Sequence, residues 1–309
     1  MSLFGMKIVE CENLSKIYKD GTQKALDSVC FSVAESGIFG LIGRNGAGKT
    51  TLVRILATEL LPSSGTAMIN GLDVVRDVKR LRQQIAIVPQ EARPIPWMTP
   101  RQTVLSYLLW RDLGYQAAKA RADKYLELVG LKEKATVVNR WLSGGMKRKL
   151  MVATALASEA SIIFLDEPTT GLDPLSRRDF WQLLKEIGRD HFIFLTTHYL
   201  EEAEELASVI GILDQGRMKR VDSLDGLRRV LRYPYSIRVE KNIESEPLLQ
   251  GQVSGEIMHW GSQLHVLTTE EEAGVLVQLF HAHHQKIWME PVSLEDIFLH
   301  FVRDDEGLP

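Results

Sequence analysis

The stretch GRNGAGKTT, from Gly43 to Thr51, limits the possible folds of this chain more than any other segment. It follows the apolar run GIFGLI and precedes the helix-forming run KTTLVRILATELL. The pattern G-x-x-x-x-G-K-[ST] between a strand and a helix is typical of a phosphate-binding loop, whose glycines let main-chain N–H groups converge on phosphate oxygens. In such a loop Lys49 reaches the β- and γ-phosphates, and the Thr50 hydroxyl is a ligand of Mg²⁺. We therefore predict a nucleotide site at the end of a buried strand.

Further apolar runs along the first two-thirds of the chain favour an α/β fold. After IFGLIG (38–43), the runs GTAMING, QIAIVPQ, ASIIFLDEP and HFIFLTTH alternate with helical segments, and GTAMING ends in the turn-forming pair Asn70-Gly71. Runs that stay apolar without alternation are typical of strands buried on both faces of a largely parallel sheet. Ligands of such sheets bind at the carboxyl ends of the strands, where these runs become polar.

Composition and charge narrow the class of protein. Of the 309 residues, 45% are hydrophobic and 25% are charged, as in ordinary globular domains, and the net charge of −3 gives no reason to expect nucleic acid as a partner. The two cysteines, Cys11 and Cys30, have no metal-binding spacing and fit a reducing cytoplasm. The sequence starts without a secretory signal, and no apolar run approaches the roughly 18 residues of a membrane span. We expect a chain that is soluble by itself.

Two carboxylates follow the strand IIFLD. Asp166 and Glu167 lie at its carboxyl end, where an Asp-Glu pair on its own is usually a solvated turn. Beside a phosphate-binding loop, Asp166 suits the shell of Mg²⁺, because this ion prefers oxygen ligands and keeps several waters. Glu167 then lies where a general base polarises an attacking water.

The pentapeptide LSGGM, Leu142 to Met146, precedes the helical run KRKLMVATALAS. Ser143 is suited to cap this helix, and Gly144 and Gly145 leave its first N–H groups unobstructed. In isolation this pattern indicates an ordinary helix start. With a phosphate-binding loop in the same chain, it indicates a second anion site.

Taken in order, GRNGAGKTT, LSGGM, IIFLDEPTTGLD and LTTH resemble the ATP-binding subunits of ABC transporters. The resemblance covers about residues 6 to 222 and is highly specific, since four separate motifs agree. It implies an α/β cassette with a mostly parallel sheet, an antiparallel β portion and a helical insert. It also implies an ATPase that uses ATP and Mg²⁺ and works as a head-to-tail dimer, with ATP between the phosphate-binding loop of one subunit and LSGGM of the other.

The resemblance assigns four more residues. Tyr18 resembles the aromatic residue that stacks on adenine, and Gln90 the glutamine that approaches Mg²⁺ and the attacking water while linking to the membrane subunit. Asp173 ends the loop that connects the two active sites, and His198 resembles the histidine that contacts the γ-phosphate. On their own, Tyr18, Gln90 and His198 are also consistent with a packed strand tyrosine, a loop glutamine and a structural histidine.

The complete set of predicted site residues falls into three groups. The catalytic residues are Glu167, His198 and Lys49, and the ligands of Mg²⁺ are Thr50, Gln90 and Asp166. The residues that contact ATP are Tyr18, Gly43, Arg44, Asn45, Gly46, Ala47, Gly48, Lys49, Thr50, Thr51, Gln90, Ser143, Gly144, Gly145 and Asp173.

Met146 stands where many members of the family carry glutamine, and LSGGMKRK resembles the subset that serves ABC-2-type export systems. This implies an integral membrane permease as partner, a homodimer or heterodimer of ATPase subunits, and a peripheral position at the cytoplasmic face of the membrane. The alternative is a soluble ABC ATPase without a membrane partner. A P-loop NTPase with a single-chain site would leave LSGGM without a role.

We expect two domains, a cassette at 1–224, with a helical subdomain at about 91–160, and an α+β extension at 225–309. In the subdomain, EARPIPWMTP and VLSYLLWRDLGY either dock the permease or form the insert's own core. LDGLRRVLRYP is predicted to be a linker, and the runs after it indicate strands, a turn at Gly261-Ser262 and two helices. His281, His283 and His284 lie on different faces of one helix, so no metal site is expected.

Overall fold

The computed structural model describes residues 7–18, 24–34, 36–231, 233–240, 245–249, 253–260 and 262–303. The chain divides into two compact units, Met1–Val221 and Asp222–Pro309. Each unit is built around β-sheet of its own and buries its own apolar side chains. Among the described residues, no helix has both the length and the apolar character needed to cross a bilayer.

The elements of the first unit alternate between strand and helix over most of its length. The strands are β1 (Val9–Ile17), β2 (Lys24–Val33), β3 (Ile38–Ile42), β4 (Ser64–Ile69), β5 (Leu72–Asp73), β6 (Ile85–Val88), β7 (Ile162–Asp166), β8 (Phe192–Thr197), β9 (Val209–Asp214) and β10 (Arg217–Asp222). The helices are α1 (Lys49–Leu56), α2 (Val78–Gln84), α3 (Pro100–Trp110), α4 (Tyr115–Leu128), α5 (Gly144–Ala157), α6 (Pro174–Ile187) and α7 (Leu200–Leu206).

The central sheet of the described residues has the strand order β10-β9-β3-β8-β7-β6. β3 pairs in parallel with β8 and β9, and β7 pairs in parallel with β6 and β8. Alternate residues of β7 enter different cores, since Phe164 packs with Phe194 on one face and Ile163 packs with Leu195 on the other. The predicted sheet, largely parallel and covered on both faces, is therefore correct.

A smaller antiparallel sheet, in the order β2-β1-β4-β5, packs its apolar side chains into one of these two cores. β4 ends at Asn70 and Gly71, whose φ angles of +49° and +73° form the tight turn predicted from their sequence. The helix after the phosphate-binding loop is shorter than predicted. It ends at Leu56, because Thr58 takes a φ of +62° and so cannot continue a right-handed helix.

Helices α3 and α4 form the insert before α5. Thr99 starts α3 with a capping box, accepting a hydrogen bond from the Gln102 amide while the Gln102 side chain accepts from the Thr99 amide. The chain on either side of these helices is joined by hydrogen bonds. The Asn139 amide donates to the Met98 carbonyl at 2.8 Å, and the Arg140 amide donates to the Pro96 carbonyl at 3.0 Å. The two ends of the insert are therefore neighbours in the structure.

The second unit is an α+β structure, as predicted. Its elements are α8 (Leu224–Leu231), β11 (Tyr235–Glu240), α9 (Ser245–Leu249), β12 (Ile257–Trp260), β13 (Gln263–Thr268), α10 (Glu270–Ala282), β14 (Ile287–Pro291) and α11 (Leu294–Arg303). The strands form an antiparallel sheet in the order β12-β13-β11-β14.

Two predictions for this unit fail, and one falls outside the described residues. LDGLRRVLRYP is not a linker, because α8 forms there and buries Leu227 and Leu231. The basic side chains lie between the apolar residues of this segment, so the helical spacing of the apolar residues that anchor α8 was not recognised in the sequence. Helix α9 was not predicted from the sequence. Of the predicted turn at Gly261-Ser262, Gly261 lies outside the described residues.

Candidate active site

A cavity of about 530 Å³ lies at the carboxyl edge of the central sheet. It is placed where β3, β7 and β8 end, because its lining comes from the segments that follow these strands. The lining residues are Ala25, Asn45, Gly46, Gly48, Lys49, Thr50, Thr51, Gln90, Glu167, Thr170 and His198. The structure therefore brings together residues from three of the four predicted motifs.

The loop between β3 and α1 has the tight shape that its glycines predict. Gly48 has a φ of +106°, and a Cβ atom added there would lie 2.5 Å from the Ala25 carbonyl oxygen. A Cβ atom on Gly43 would lie 2.3 Å from the Leu213 carbonyl oxygen. Any larger side chain at these positions would push the loop open, so the sequence folds here into a close main-chain curve at the start of a helix.

Lys49 is a buried cation, exposed by only 5%. Its Nζ donates to the carbonyl oxygens of Gly43 and Arg44, at 2.8 and 3.2 Å, and lies 3.4 Å from Glu167 Oε1. Burial lowers the pKa of Lys49, while the carboxylates of Glu167 and Asp166 oppose that shift. A desolvated ammonium beside a loop of main-chain amides is well placed to bind phosphate.

Several side chains of the site contact the carboxylate of Glu167. Its Oε2 accepts a hydrogen bond from Gln90 Nε2 at 3.0 Å and from Thr170 Oγ1 at 3.2 Å, and lies 3.1 Å from His198 Nδ1. Gln90, Glu167 and His198 come from three distant parts of the chain. All three also line the cavity, so the carboxylate faces the space that a ligand would occupy.

Asp166 lies directly before Glu167 and is 2% exposed. Its Oδ1 accepts a hydrogen bond from Thr196 Oγ1 at 2.5 Å, and the same hydroxyl oxygen accepts from the Glu167 amide at 3.1 Å. Thr196 therefore fixes both acidic residues at the end of β7. Asp166 carboxylate, Thr50 hydroxyl and Gln90 amide oxygens are hard donors of the kind that Mg²⁺ accepts. In the described part of the chain, no cluster of three or more His, Cys, Asp or Glu side chains has metal-binding geometry.

Tyr18 lies beside the loop without lining the cavity. Its hydroxyl is 3.2 Å from Thr51 Oγ1, and its side chain is 41% exposed. The ring thus presents an open face close to the phosphate-binding loop, which is compatible with stacking on a base. Of the other predicted contacts, Asn45 and Gly46 line the cavity, while Gly43, Arg44 and Ala47 shape the loop behind it.

The residues of LSGGM do not line this cavity. Ser143 caps α5 as predicted, its Oγ accepting from the Met146 amide at 3.2 Å. Asp173 caps α6 and accepts from the Ser176 amide at 3.0 Å, and hydrogen bonding by the Ser176 side chain and amide lowers the pKa of Asp173. A Cβ atom added to Gly145 would lie 3.2 Å from Ser176. The two helix starts are therefore close neighbours, and they form a second cluster outside the cavity.

The sequence interpretation missed several residues that shape the site. Thr170 and Thr196 hold the two acidic residues, and Ala25 lines the cavity from the antiparallel sheet. The threonines stand inside quoted motifs, PTTGLD and LTTH, so their hydroxyl groups were an available signal. Arg148, which donates to the Glu167 carbonyl from α5, carried no signal beyond its place in a basic helix.

Three histidines of the second unit do not all lie on one helix, contrary to the expectation from the sequence. His281, His283 and His284 are exposed, but α10 ends at Ala282, so His283 and His284 follow the helix.

Comparison with known proteins identifies the family. The family described as ABC transporter matches residues 26–170. A daunorubicin resistance ATP-binding protein of Streptomyces coeruleorubidus is 41% identical over 209 residues, which cover 67% of this chain and 66% of that protein. The Nod factor export ATP-binding protein I of Burkholderia orbicola is 37% identical, covering 68% of each chain. The chain belongs to the ABC transporter ATP-binding proteins.

The solved structures extend this result to the fold. An ATP-binding cassette in a dimeric, post-hydrolysis state with ADP and Pi superposes with a TM-score of 0.63 at 26% identity, covering 70% of this chain and 98% of that one. The predicted family, the predicted cassette fold and the predicted ATP-binding ATPase of a transporter are confirmed by these similarities. The chain is thus an ABC ATPase subunit that binds ATP.

Proposed function

We propose that this ABC ATPase drives export through an ABC-2-type permease, as a peripheral subunit at the cytoplasmic face of the membrane. The relatives named for daunorubicin resistance and Nod factor export support this direction of transport. Met146 in the signature supports the ABC-2 class. We assign 1–224 to the cassette, with its helical subdomain at about 91–160, and 225–309 to an accessory domain. A soluble ABC ATPase outside transport has less support, because both relatives are named for export or drug resistance.

ATP is proposed to occupy the cavity beside the phosphate-binding loop. The loop amides from Gly43 to Thr51 and the Lys49 ammonium hold its phosphates, while the exposed ring of Tyr18 stacks on adenine. Thr50, Gln90 and Asp166 hold Mg²⁺, whose chemistry is to neutralise charge on the β- and γ-phosphates. The donor set supports this assignment, since it combines the buried carboxylate of Asp166 with neutral oxygen donors on Thr50 and Gln90, which line the cavity.

Glu167 and His198 are proposed to act on the attacking water. Glu167 orients the water and accepts its proton, because its carboxylate faces the cavity and is held from three sides. His198, 3.1 Å from that carboxylate, contacts the γ-phosphate and keeps Glu167 in its orientation. Lys49 stabilises charge on the transferred group.

The observation that carries the proposal is the separation of the two anion-binding clusters within one chain. Lys49 and Thr50 line the cavity, whereas Ser143, Gly144 and Gly145 lie at the start of α5, outside its lining. A γ-phosphate in the cavity therefore needs the α5 start of a second subunit to be enclosed. The similarity to a dimeric cassette supports a head-to-tail dimer with two shared ATP sites, as a homodimer or heterodimer.

The permease is proposed to dock on a second cavity of the first unit, about 660 Å³ in volume. The cavity lies between the insert helices and the edge strand β6, and Trp110, which lines it, is 81% exposed. Val104 and Leu108 of the same run, by contrast, are buried in the core. The run VLSYLLWRDLGY thus serves both purposes considered from the sequence. The other main lining residues are Arg82, Ile85, Ile87, Tyr107, Arg111, Leu113 and Arg121.

The test is the oligomeric state of two variants with MgATP, measured by light scattering. Glu167→Gln keeps the shape of the side chain but removes the carboxylate that polarises water. We expect it to bind ATP, to hydrolyse it at least about a hundredfold more slowly and to accumulate as a dimer. Adding Ser143→Arg blocks the γ-phosphate contact and abolishes that dimer.

Two controls make this test specific. Glu167→Gln combined with Lys49→Ala has lost the phosphate-binding ammonium, so it remains monomeric in MgATP. The Glu167→Gln protein without ATP also remains monomeric. A Glu167→Gln protein that binds ATP yet stays monomeric at tens of micromolar contradicts a homodimeric site.

A further inference from the structure

Arg148 is a buried arginine that does not itself line the cavity. It lies in α5, five residues after Ser143, and is 8% exposed. Burial lowers its pKa, with the nearby charge of Arg93 acting in the same direction. A guanidinium group taken out of water must be compensated by hydrogen bonds, so its acceptors show what it holds in place.

The acceptors of Arg148 are three main-chain carbonyl oxygens. Its Nη1 donates to Pro89 at 3.3 Å, and its Nη2 donates to Gln90 at 2.9 Å and to Glu167 at 3.2 Å. The planar guanidinium group presents several N–H donors in a fixed geometry, which suits it to bind carbonyls from two segments at once. Arg148 thus joins the segment of Gln90 to the segment of Glu167.

The main chain of Glu167 needs this support. Its φ of +46° lies in the left-handed region, which is uncommon and strained for a residue with a Cβ atom. The Glu167 amide donates to the carbonyl and hydroxyl oxygens of Thr196, so β8 holds one side of this residue. Arg148 holds the other side through the carbonyl. These two restraints together fix the main chain from which the Glu167 carboxylate projects.

We propose that Arg148 is a positioning residue that couples the start of α5 to Glu167. The inference rests on the proposed function, in which Ser143 at the start of α5 contacts ATP held by the neighbouring subunit. Glu167 acts on ATP held by its own subunit. Five residues of one helix, about 7.5 Å along its axis, separate these two functions within each chain.

A physical consequence is communication between the two ATP sites. Ser143 caps α5 and Arg148 lies in the same helix, so any displacement of α5 that accompanies closure on the neighbour's γ-phosphate is transmitted to Arg148. Arg148 then sets the main chain of Gln90 and Glu167, whose side chains are hydrogen-bonded at 3.0 Å. Closure of one site thereby prepares the base of the other, so ATP hydrolysis is positively cooperative.

The experiment compares Arg148→Met, Arg148→Lys and the control Lys149→Met in the full-length protein with MgATP. Methionine fills similar space but donates no hydrogen bond, whereas lysine keeps the charge and cannot bind all three carbonyls in one plane. For Arg148→Met we expect kcat to fall at least about tenfold, because a small displacement of Glu167 slows the reaction. The affinity for ATP and the KM stay within about twofold, and the Hill coefficient falls to about one.

Rescue and control separate positioning from a structural role. Arg148→Lys is expected to recover part of the lost kcat, and Lys149→Met to match the unaltered protein. Thermal denaturation shows whether each variant is folded. If Arg148→Met does not fold, the kcat of Arg148→Lys is compared with that of the unaltered protein instead. Unchanged kcat in a folded Arg148 variant overturns the proposal, and so does a parallel loss of ATP affinity and kcat.

Failure of this inference is distinguishable from failure of the two-chain site. The Glu167→Gln protein with Arg148 intact tests the two-chain site, which is contradicted if this protein stays monomeric. If it forms a dimer while Arg148→Met keeps full, cooperative turnover, only the coupling is wrong. Glu167→Gln combined with Arg148→Met is expected to form the ATP-dependent dimer as well, because Ser143 is unchanged.

Discussion

Histidines contact carboxylates in both units of this protein, and two of these pairs, His198 with Glu167 and His265 with Asp296, differ in their access to solvent. In the first unit, His198 Nδ1 lies 3.1 Å from Glu167, and the side chain of His198 is 29% exposed. In the second unit, His265 Nδ1 lies 2.9 Å from Asp296, and these side chains are 1% and 0% exposed. The distance between the partners is nearly the same. The surroundings decide what each pair does.

Asp296 is surrounded by donors from its own unit. Its Oδ1 accepts from Ser236 at 2.9 Å, and its Oδ2 accepts from the amide and hydroxyl of Ser293 at 2.9 and 2.7 Å. Burial by itself raises the pKa of Asp296, but the hydrogen bonds from His265, Ser293 and Ser236 outweigh it and lower the pKa below its ordinary 3.8. The pair joins β11, β13 and α11, so its role is to hold the fold.

The carboxylate of Glu167, by contrast, contacts protein groups and also faces a cavity. Gln90, Thr170 and His198 contact one oxygen, and Lys49 lies near the other, beside about 530 Å³ of accessible space. We propose that a histidine beside a carboxylate stabilises the fold where water is excluded and takes part in chemistry where a ligand has access. Access to the cavity, more than the distance between the partners, separates these two pairs.

The largest expected effect concerns His198 and Glu167, the pair that faces the cavity. His198→Ala removes the imidazole beside Glu167, and we expect turnover of ATP to fall at least about a hundredfold. The free energy of unfolding changes by less than about 1 kcal/mol, since the side chain is partly exposed. Steady-state turnover and chemical denaturation measure the two quantities, with the exposed His283→Ala as the matched control. A large loss of stability with intact turnover would reverse the comparison.

The buried pair of His265 and Asp296 is expected to show the opposite pattern, a loss of stability without a loss of ATP binding. Asp296→Ala leaves the donors of His265, Ser236 and Ser293 unpaired, which destabilises the second unit by about 1–3 kcal/mol. ATP affinity is unchanged. The control is Asp225→Ala, whose side chain is 84% exposed. Because the pKa of Asp296 is lowered on folding, its stabilisation is present above pH 3.8 and is lost as the pH falls through the lowered value. Denaturation at neutral and acidic pH therefore shows a smaller difference between the proteins in acid; a constant difference would argue against an ionised Asp296.

The smallest expected effect sharpens the comparison between the units. A chain that ends at Leu224 lacks both His265 and Asp296 but keeps every residue that is proposed to contact ATP. We expect its ATP affinity, measured by calorimetry, to stay within about twofold of the full chain. A folded chain of this length that has lost ATP binding would place part of the site in the second unit.

The sequence was most informative where one short segment determines its own structure. The phosphate-binding loop, the Ser143 cap and the Asn70-Gly71 turn each depend on backbone freedom or on a hydrogen bond three residues away. The buried strands were equally clear, since β7 and β8 are apolar along nearly their whole length. Such local signals predicted the phosphate-binding loop and the buried strands, whereas Gln90 and His198 were assigned through the family resemblance, and Ala25 and Thr170 were missed.

The rest depends on contacts between distant residues. Gln90 and Glu167 are separated by 77 positions, and Arg148 reaches the Gln90 carbonyl across 58. Nothing in the neighbourhood of Arg148 in the sequence indicates that its charge is buried. Helix α8 was mistaken for a linker for a related reason, because only the tertiary burial of Leu227 and Leu231 distinguishes it from a solvated basic segment. Propensity alone does not report such packing.

The hydrogen bonds that join Met98 to Asn139 make the helical segment between them an exchangeable module. Its two ends meet, so a longer or shorter pair of helices can replace it without moving the chain on either side. Gln90 precedes this junction and Ser143 follows it. A graft of helices from another family member is therefore expected to alter the proposed permease contact at Trp110, while Gln90 and Ser143 stay outside the replaced segment.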